Sequence, residues 1–281
     1  MRTTRSGSKT WSLVLAVGLP ALFACSADSS SREPVELRFA GDAPEATFVV
    51  DYDQEIAWGI ATLERTYGAR YALTGLGSED GDVRLGARLD SLFVVHSTPH
   101  GRGVVDARHL EGAEFQLSVP TSGGRPGYPD DAPVLLMPGN LEGELSVGRF
   151  MDFAFPALPE ESVGVGDTWV AESEHPHVEA HVHATARVRT EYRLAGWEVV
   201  DGVECARIEG RLTGDVVAAP YEQYGATVEF SGTLEGDVIW LFDVEAGALV
   251  SATGETSSDG MLTSDGTTST IRQQTRIGIA R

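Results

Sequence analysis

The sequence predicts a mainly β protein, built on one large, curved antiparallel sheet that forms an unclosed half-barrel with one or few helices. Apolar residues recur at every second position over segments much longer than the usual strand of five or six residues. Helical spacing is rare, so little helix is left to cover the apolar side of such a sheet. A β-sandwich or a closed barrel is the alternative fold.

The first 24 residues predict a signal peptide. Basic residues precede an apolar run, Trp11–Leu22, that is too short to span a bilayer as a stable helix. The following Leu22-Phe23-Ala24-Cys25 resembles the lipobox of bacterial lipoprotein precursors. The resemblance implies that Cys25 is acylated and that residues 1–24 are removed. An ordinary secretory signal with an incidental cysteine is the alternative.

Residues 25–34 then predict an acylated cysteine followed by a flexible tether, because the segment is small and polar. Two or more acyl chains give stable membrane anchoring. Ser26, where related lipoproteins retained at the inner membrane often carry Asp, implies the outer membrane, facing the periplasm. The membrane is therefore an expected partner, through the acyl chains on Cys25.

Charge and cysteine content narrow the possible functions. The 281 residues include 42 acidic and 21 basic ones, a net charge of −21, which argues against nucleic acid as a partner. The single lysine, Lys9, lies in the signal, so Schiff-base chemistry is excluded from the exported protein. With Cys25 acylated, Cys205 has no partner for a disulfide. Residues 35–281 are expected to form one β-rich domain that depends on its own packing.

Three segments show the alternation best, and each is predicted to be one strand. The apolar residues fall on even positions in His175–Leu194 and Val228–Phe242, and on odd positions in Val83–Val95. Glycines on the apolar parity suit the bends of a curved sheet; they are Gly210, Gly232 and Gly236.

An internal repeat predicts a duplicated hairpin. Tyr71-x-Leu73-x-Gly75 with Asp80-Gly81 recurs 121 residues later as Tyr192-x-Leu194-x-Gly196 with Asp201-Gly202. Asp-Gly is a strong turn signal between strands. The domain is therefore expected to contain two related halves, about 35–137 and 157–281. The repeat also favours strand over helix for the segment that contains Ile56, Ile60 and Leu63.

The segment between the halves predicts a loop and a short helix. Four prolines interrupt Arg125–Pro138, which indicates a loop. Asn140 can then cap a helix from Leu141 to about Phe153. This helix is the one candidate for covering the sheet.

A short motif carries a family resemblance. After Leu158-Pro159, the residues Val163-x-Val165-Gly166-Asp167-x-Trp169 resemble a motif of uncharacterised exported β-rich bacterial lipoproteins. The Asp80-Gly81 turn and the segment 110–115 are also similar to them, and the resemblance spans roughly residues 36–279. These proteins are similar in strand content to the lipoprotein-localisation factors, the LolA/LolB-like proteins. That implies a half-barrel whose helices cover an apolar concave face, and it implies no catalytic residues.

A histidine cluster is the one group with possible metal chemistry. If His175–Leu194 is a single strand, His175, His177, Glu179, His181 and His183 lie on one face of it. These residue types bind Zn²⁺ or Cu²⁺. A straight strand would spread them over about 26 Å, too far for one tetrahedral site. A solvated polar face is therefore favoured over a metal site.

The expected activity is binding rather than catalysis. The chain lacks a nucleophile elbow, a phosphate-binding loop and a dinucleotide fingerprint, so no enzyme and no cofactor are expected. Small inward residues such as Ala184 and Ala186 leave volume beside the sheet. We expect an apolar ligand, a lipid or acyl chain, on the concave face. The alternatives are a structural or protein-interaction lipoprotein with a self-filled core, and a periplasmic metal-binding protein that uses the histidine strand.

Overall fold

The computed structural model describes residues 32–59, 61–129, 132–137, 143–179, 182–223, 226–264 and 266–281. The predicted signal peptide, the predicted acylation site Cys25 and most of the predicted tether lie outside this part of the chain. Within it the chain forms thirteen strands: β1 Ala46–Trp58, β2 Ala61–Glu79, β3 Asp82–Thr98, β4 Gly101–Val105, β5 Glu114–Pro120, β6 Val134–Met137, β7 Gly143–Ser146, β8 Thr168–Glu179, β9 Val182–Val200, β10 Val203–Gln223, β11 Ala226–Asp243, β12 Ala248–Ser264 and β13 Thr267–Ala280.

Eleven of these strands form one antiparallel sheet, which is curved and does not close into a barrel. The order is β4-β3-β2-β1-β13-β12-β11-β10-β9-β8, and β5 also pairs with β3. Two meanders, β1–β4 and β8–β13, therefore meet where β1 pairs with β13. The predicted unclosed, curved antiparallel sheet is confirmed.

The two Asp-Gly turns have the same geometry. Asp80 and Gly81 have φ of 53° and 89°, and Asp201 and Gly202 have φ of 51° and 85°. Two successive residues with positive φ are typical of the type I′ turn that joins twisted hairpin strands. They lie at the same end of the sheet, which we call the upper end. Ile56 and Leu63 lie in strands rather than a helix, as predicted, but in two strands, because they pair with each other in the β1–β2 hairpin. Ile60 lies outside the described residues.

The two faces of the sheet differ sharply in charge. We call the face that carries Phe48, Tyr71, Ile208 and Trp240 the inner face; these side chains are buried. The opposite, outer face carries ion pairs between neighbouring strands, such as Arg276 with Glu255. The exposure of successive residues alternates along most strands, which is the pattern of a sheet with one covered face.

The segments 35–45 and 132–167 pack on the upper half of the inner face, and we call them the cover (residues 138–142 lie outside the described residues). Tyr71 donates a hydrogen bond from its hydroxyl to the carbonyl of Val147 at 2.6 Å. The Trp240 indole donates to the Phe153 carbonyl at 2.7 Å. These bonds satisfy buried polar groups that would otherwise have no hydrogen-bond partner, and they attach the cover to the sheet.

The predicted loop and helix between the halves are partly wrong. Val134–Met137 is a strand that pairs with Gly143–Ser146, and the helix is a 3₁₀ helix, Val147–Ala154. Gly143 and Gly148 disfavour an α-helix that starts at residue 141. A Cβ on Gly148 would lie 2.6 Å from the Tyr128 ring, so this glycine is required for packing.

A bulge in β3 overturns part of the predicted alternation. Arg70 pairs with Ser91 but Tyr71 pairs with Leu89, so Asp90 is an extra residue. Beyond it the faces exchange parity: Leu92 and Val94 are buried, while Phe93 is 49% exposed. The odd positions 91, 93 and 95 therefore belong to the outer face.

In the described part of the chain no helix is long and apolar enough to cross a membrane.

Candidate functional site

The inner face carries very little formal charge. Among its described positions in the strands below, none is Asp or Glu, and Arg65 is the single formally charged side chain. The chain as a whole has a net charge of −21, so the neutrality of this face reflects where the charged residues are placed and not a lack of them. The positions are the alternate residues of Phe48–Ile56, Leu63–Leu73, Val83–Leu89, Leu92–His96, Ala184–Leu194, Ile208–Ala218, Phe230–Phe242, Ala252–Leu262 and Ser269–Ile279.

A row of polar residues crosses the inner face at mid-height, and we call it the polar row. Strand register places its members directly opposite one another on five adjacent strands. Arg65 donates to the side-chain carbonyl of Gln54 at 3.3 Å. Arg65, Gln54 and Thr275 are nearly buried, at 9%, 8% and 3% exposure. In order across the sheet the row is His96, Arg65, Gln54, Thr275 and Thr256.

Above the polar row the space between sheet and cover is filled. Phe150 of the 3₁₀ helix packs on Tyr67 with ring centroids 5.2 Å apart, and Tyr67 packs on Tyr52 at 5.4 Å. An apolar cavity near Phe39, Leu85 and Met151 has a volume of about 50 Å³. Ligand pockets usually measure ~300–1,000 Å³, so this cavity is too small for an acyl chain.

Below the polar row the described residues of the cover do not reach the inner face, and we call this part of the sheet the lower trough. Its side chains are neutral and several are only partly buried, among them Ile56, Leu63, Ile271, Leu262 and Phe230. Gly232 and Gly260 face each other across β11 and β12 and leave the middle of the trough low. Three rows of inner-face residues lie below the polar row, which gives the trough a length of about 20 Å.

The inward glycines admit close packing between strands. A Cβ on Gly236 would lie 2.6 Å from the carbonyl oxygen of Glu255, and a Cβ on Gly210 would lie 2.6 Å from the Trp240 ring. Real Cβ atoms do not approach so closely, so larger residues would push β12 or Trp240 away. These glycines keep the inner face shallow where it passes from the covered half into the lower trough.

The residues of the predicted family motif connect the cover to the sheet. Val163 forms an antiparallel bridge with Val35, and the Asp167 carboxylate accepts a hydrogen bond from the Gly164 amide at 2.8 Å. The Trp169 indole donates to the Ala157 carbonyl at 2.8 Å and its ring stacks on Tyr192. Gly166 has φ of 98°, and Val165 packs on the core. The motif is thus a structural corner.

The predicted histidine strand is wrong in its topology. Glu179 pairs with Val182, so the chain reverses there and β8 and β9 form a hairpin. His175 and His177 are register partners of Ala186 and Ala184, whereas His183 is opposite Val178. Positions 177 and 183 therefore belong to opposite faces of the sheet, because alternate residues of a strand do so.

His181 and the side chains of the other three histidines lie outside what the structure describes. Within the described residues no group of three or more His, Cys, Asp or Glu is placed to hold a metal ion.

The cover holds a partly buried acid. The Tyr128 hydroxyl donates to the Asp152 carboxylate at 2.7 Å, and Arg125 lies 3.6 Å from the other carboxylate oxygen. Burial raises the pKa of Asp152, and the two neighbours offset part of that increase. Burial and the nearby carboxylate raise the pKa of Tyr128.

The outer face also has a groove, with a volume of about 1030 Å³, across β9–β13. It is lined in part by charged residues, including Arg272, whose guanidinium donates to Asp259 at 2.7 Å. The exposed Val217 and Met261 also line it, so the groove mixes charged and apolar side chains. The lower trough differs in that its described side chains are all neutral, which suits the expected ligand better.

The polar row escaped sequence reasoning, although a signal for it exists. Arg65 and Gln54 occupy positions that alternation assigns to the apolar face, and a charged residue at such a position is rare unless it is paired. Their alignment across neighbouring strands depends on hairpin register, which the sequence alone does not fix.

No protein-family model matches the chain, and comparison with curated proteins finds no significant match.

Proposed function

We propose that the protein is a bacterial envelope lipoprotein, anchored by acyl chains on Cys25, that binds an apolar ligand such as a lipid or acyl chain in the lower trough. The activity is binding, without catalysis. The neutral inner face that continues beyond the cover carries this proposal. A core needs neutral residues only where it is covered, and here neutrality extends over about 20 Å of sheet that the cover does not reach.

The proposal keeps the outer membrane, on the periplasmic side, as the location. Membrane attachment rests on the lipobox-like Leu22-Phe23-Ala24-Cys25 and not on any apolar surface of the domain. The outer face is acidic, which disfavours adhesion to anionic lipids. Replacing Cys25 by Ser is expected to move the protein from the membrane to the soluble periplasmic fraction.

Photo-crosslinking in living cells tests the binding proposal. A benzophenone amino acid replaces Leu262, which lies on the inner face, or Met261, its neighbour on the outer face, in the full-length protein. After irradiation, mass spectrometry of the purified protein is expected to show lipid-sized adducts at 262 and none at 261. The two positions share strand, depth and side-chain size, so the difference reports the face alone.

An alternative of another class is a protein-interaction lipoprotein. The filled space above the polar row favours this alternative, because the side chains of the cover and the sheet fill that space themselves. Phe93 and Val104 also lie exposed on the outer face near the β4 edge, at 49% and 74%. Protein adducts at positions 93 and 104, with no lipid at 262, would select this alternative.

A further inference from the structure

We infer that the outer-face groove is a second binding site, and that its ligand is a linear, neutral glycan lying across the strands. The groove lies behind the lower trough, on the opposite face of the same sheet, and has a volume of about 1030 Å³. A twisted sheet is saddle-shaped, so both of its faces can be concave, in different directions. The inference is independent of the apolar ligand proposed for the lower trough.

Strand register arranges the residues of the groove in two rows that cross β9–β13. Within each row, every residue is the direct partner of the next one on the adjacent strand. The first row, which carries the charges, is Arg187, Asp215, Thr233, Asp259 and Arg272. The second row, in which hydroxyl and apolar side chains alternate, is Thr185, Val217, Ser231, Met261 and Thr270. Because each row has the same chemical types from either end, the groove offers a repeating surface rather than a single pocket.

The charged row favours a neutral ligand that both donates and accepts hydrogen bonds. Its two arginines and two aspartates balance, so an ion gains little from the row as a whole. Arg272 donates from Nε to Asp259 at 2.7 Å, and Arg187 lies 3.8 Å from Glu174. A guanidinium has several N–H donors and a carboxylate several acceptor sites, so these contacts leave groups for a ligand. A sugar hydroxyl accepts from the first group and donates to the second, and such charge-assisted bonds are strong.

The second row adds apolar contacts at a regular distance. Val217 and Met261 are each 55% exposed, and burial of such side chains by a ligand is favourable. They lie two strands apart, about 9.6 Å, with Ser231 between them. A pyranose ring has CH groups on its faces and hydroxyls on its rim. Rings lying on Val217 and Met261 therefore bury apolar surface while their rims reach the hydroxyl and charged side chains.

The strand spacing distinguishes a glycan from a peptide. Neighbouring strands are ~4.8 Å apart, which is close to the length of one pyranose unit, so successive sugar rings meet successive strands. An extended peptide rises ~3.3 Å per residue and loses this match after a few residues. The five strands β9–β13 are consecutive neighbours in the sheet and thus accommodate about five sugar units.

Isothermal titration calorimetry tests the inference with the full-length protein in phosphatidylcholine nanodiscs. The probes are cellohexaose and chitohexaose, two linear neutral glycans that differ in an N-acetyl group, and their trisaccharides. We expect at least one hexasaccharide to bind, and to bind at least tenfold more tightly than its trisaccharide, because three units leave part of the rows empty. Absence of binding by both hexasaccharides overturns the inference, and so does equal affinity for the long and short chains. This comparison needs no variant.

Two substitutions then locate the glycan. Asp215→Ala removes a carboxylate of the charged row, and Val217→Arg places a long side chain over the second row. Each is expected to weaken hexasaccharide binding at least fivefold. Both side chains are exposed, so the substitutions should alter stability little, which urea unfolding checks. Asp237→Ala, on the outer face of β11 and outside the groove, is the matched control and should leave the affinity unchanged.

Two results would assign the groove differently. If both groove variants bind the hexasaccharide as tightly as the native protein, the glycan lies elsewhere and the inference is wrong. A neutral extended peptide of Gly and Ser, of the same length, is expected not to bind. Binding of this peptide in place of the glycans would make the groove a protein-binding surface and would also overturn the inference. Neither result affects the lipid adducts expected at Leu262, which lies on the inner face.

Discussion

Tyr71 and Tyr192 show what the internal repeat achieves at the scale of single residues. They are equivalent in the repeat, and both hydroxyls contact the backbone of the cover: Tyr71 at the Val147 carbonyl and Tyr192 at the Ala157 amide. The repeat therefore supplies the cover with one attachment from each half of the sheet. Sequence similarity identified the pair, but the cover that they bind could be seen only in the structure.

Replacing Tyr71 by Phe is expected to lower the free energy of unfolding by about 1–3 kcal/mol, because the buried Val147 carbonyl loses its donor. Tyr192→Phe should cost less, since its bond to the Ala157 amide is long, at 3.3 Å, and lies in a partly buried place. Urea unfolding of the full-length protein, followed by tryptophan fluorescence, measures both. Equal losses of unfolding free energy in the two variants would contradict the larger contribution expected from the hydrogen bond to Val147.

Asp152 predicts a pH dependence of stability. Its pKa is raised in the folded protein, so the folded state retains a proton that the unfolded state has released. Stability from this group is therefore full below the unfolded pKa and declines as the pH rises through the folded pKa. Asp152→Asn removes this decline while it keeps an acceptor for Tyr128.

The measurement compares unfolding free energies of the native protein and Asp152→Asn from acidic to neutral pH. The difference should shift in favour of the variant as the pH rises. If the unfolding free energies of the two proteins change with pH in parallel, the raised pKa of Asp152 is not the cause of the pH dependence.

At the scale of elements, the bulge at Asp90 decides which face each residue of β3 occupies. Deleting Asp90 gives Leu89-Ser91-Leu92, which alternates regularly and keeps Leu92 and Val94 inside. The loss in unfolding free energy is expected to stay within about 1 kcal/mol. Deleting Arg88 instead moves Leu89 to the outer face and should destabilise by several kcal/mol, because a one-residue slip exchanges the faces. Urea unfolding of the two deletions distinguishes these outcomes, and similar stabilities would argue against the bulge.

The strands and turns also show how much of the fold could be predicted from the sequence. Period-two alternation and the two Asp-Gly turns predict the sheet and both main hairpins correctly. They miss the bulge at Asp90 and the reversal between Glu179 and Val182, because apolar and polar residues alternate across both points. The candidate site was predicted only as a concave face. The polar row depends on register across five strands, and no local pattern encodes that register.

At the scale of the whole molecule, Arg32 attaches the amino-terminal segment to one end of the sheet. Its guanidinium lies 3.9 Å from the centre of the Trp197 ring and donates to Glu204 at 2.7 Å, close to the Asp201-Gly202 turn. The six residues between Cys25 and Arg32 reach at most about 20–25 Å. Under the proposed acylation of Cys25, the upper end is expected to face the membrane and the lower trough to open away from it.

Fluorescence energy transfer to a labelled lipid tests this orientation. Val199→Cys marks the upper end and Thr268→Cys the lower end; the native Cys205 is buried and should not react. Since β10, with 21 residues, measures about 70 Å, transfer should be strong from 199 and weak from 268. Arg32→Ala should weaken the contrast by releasing the chain from Trp197. Equal transfer from both labels would exclude a fixed orientation.

The pairing of β1 with β13 also has a kinetic meaning. Each meander can form from contacts between neighbouring hairpins, but this seam joins segments that begin at Ala46 and at Thr267. Closing so long a loop is slow, because the chain loses conformational entropy before the hydrogen bonds and contacts of the paired strands can form. Under the proposed export from the amino terminus, the edge of β1 would stay unpaired until β13 follows. The interval before this pairing forms is thus when the chain is most exposed to aggregation, and the arrival of β13 determines how long it lasts.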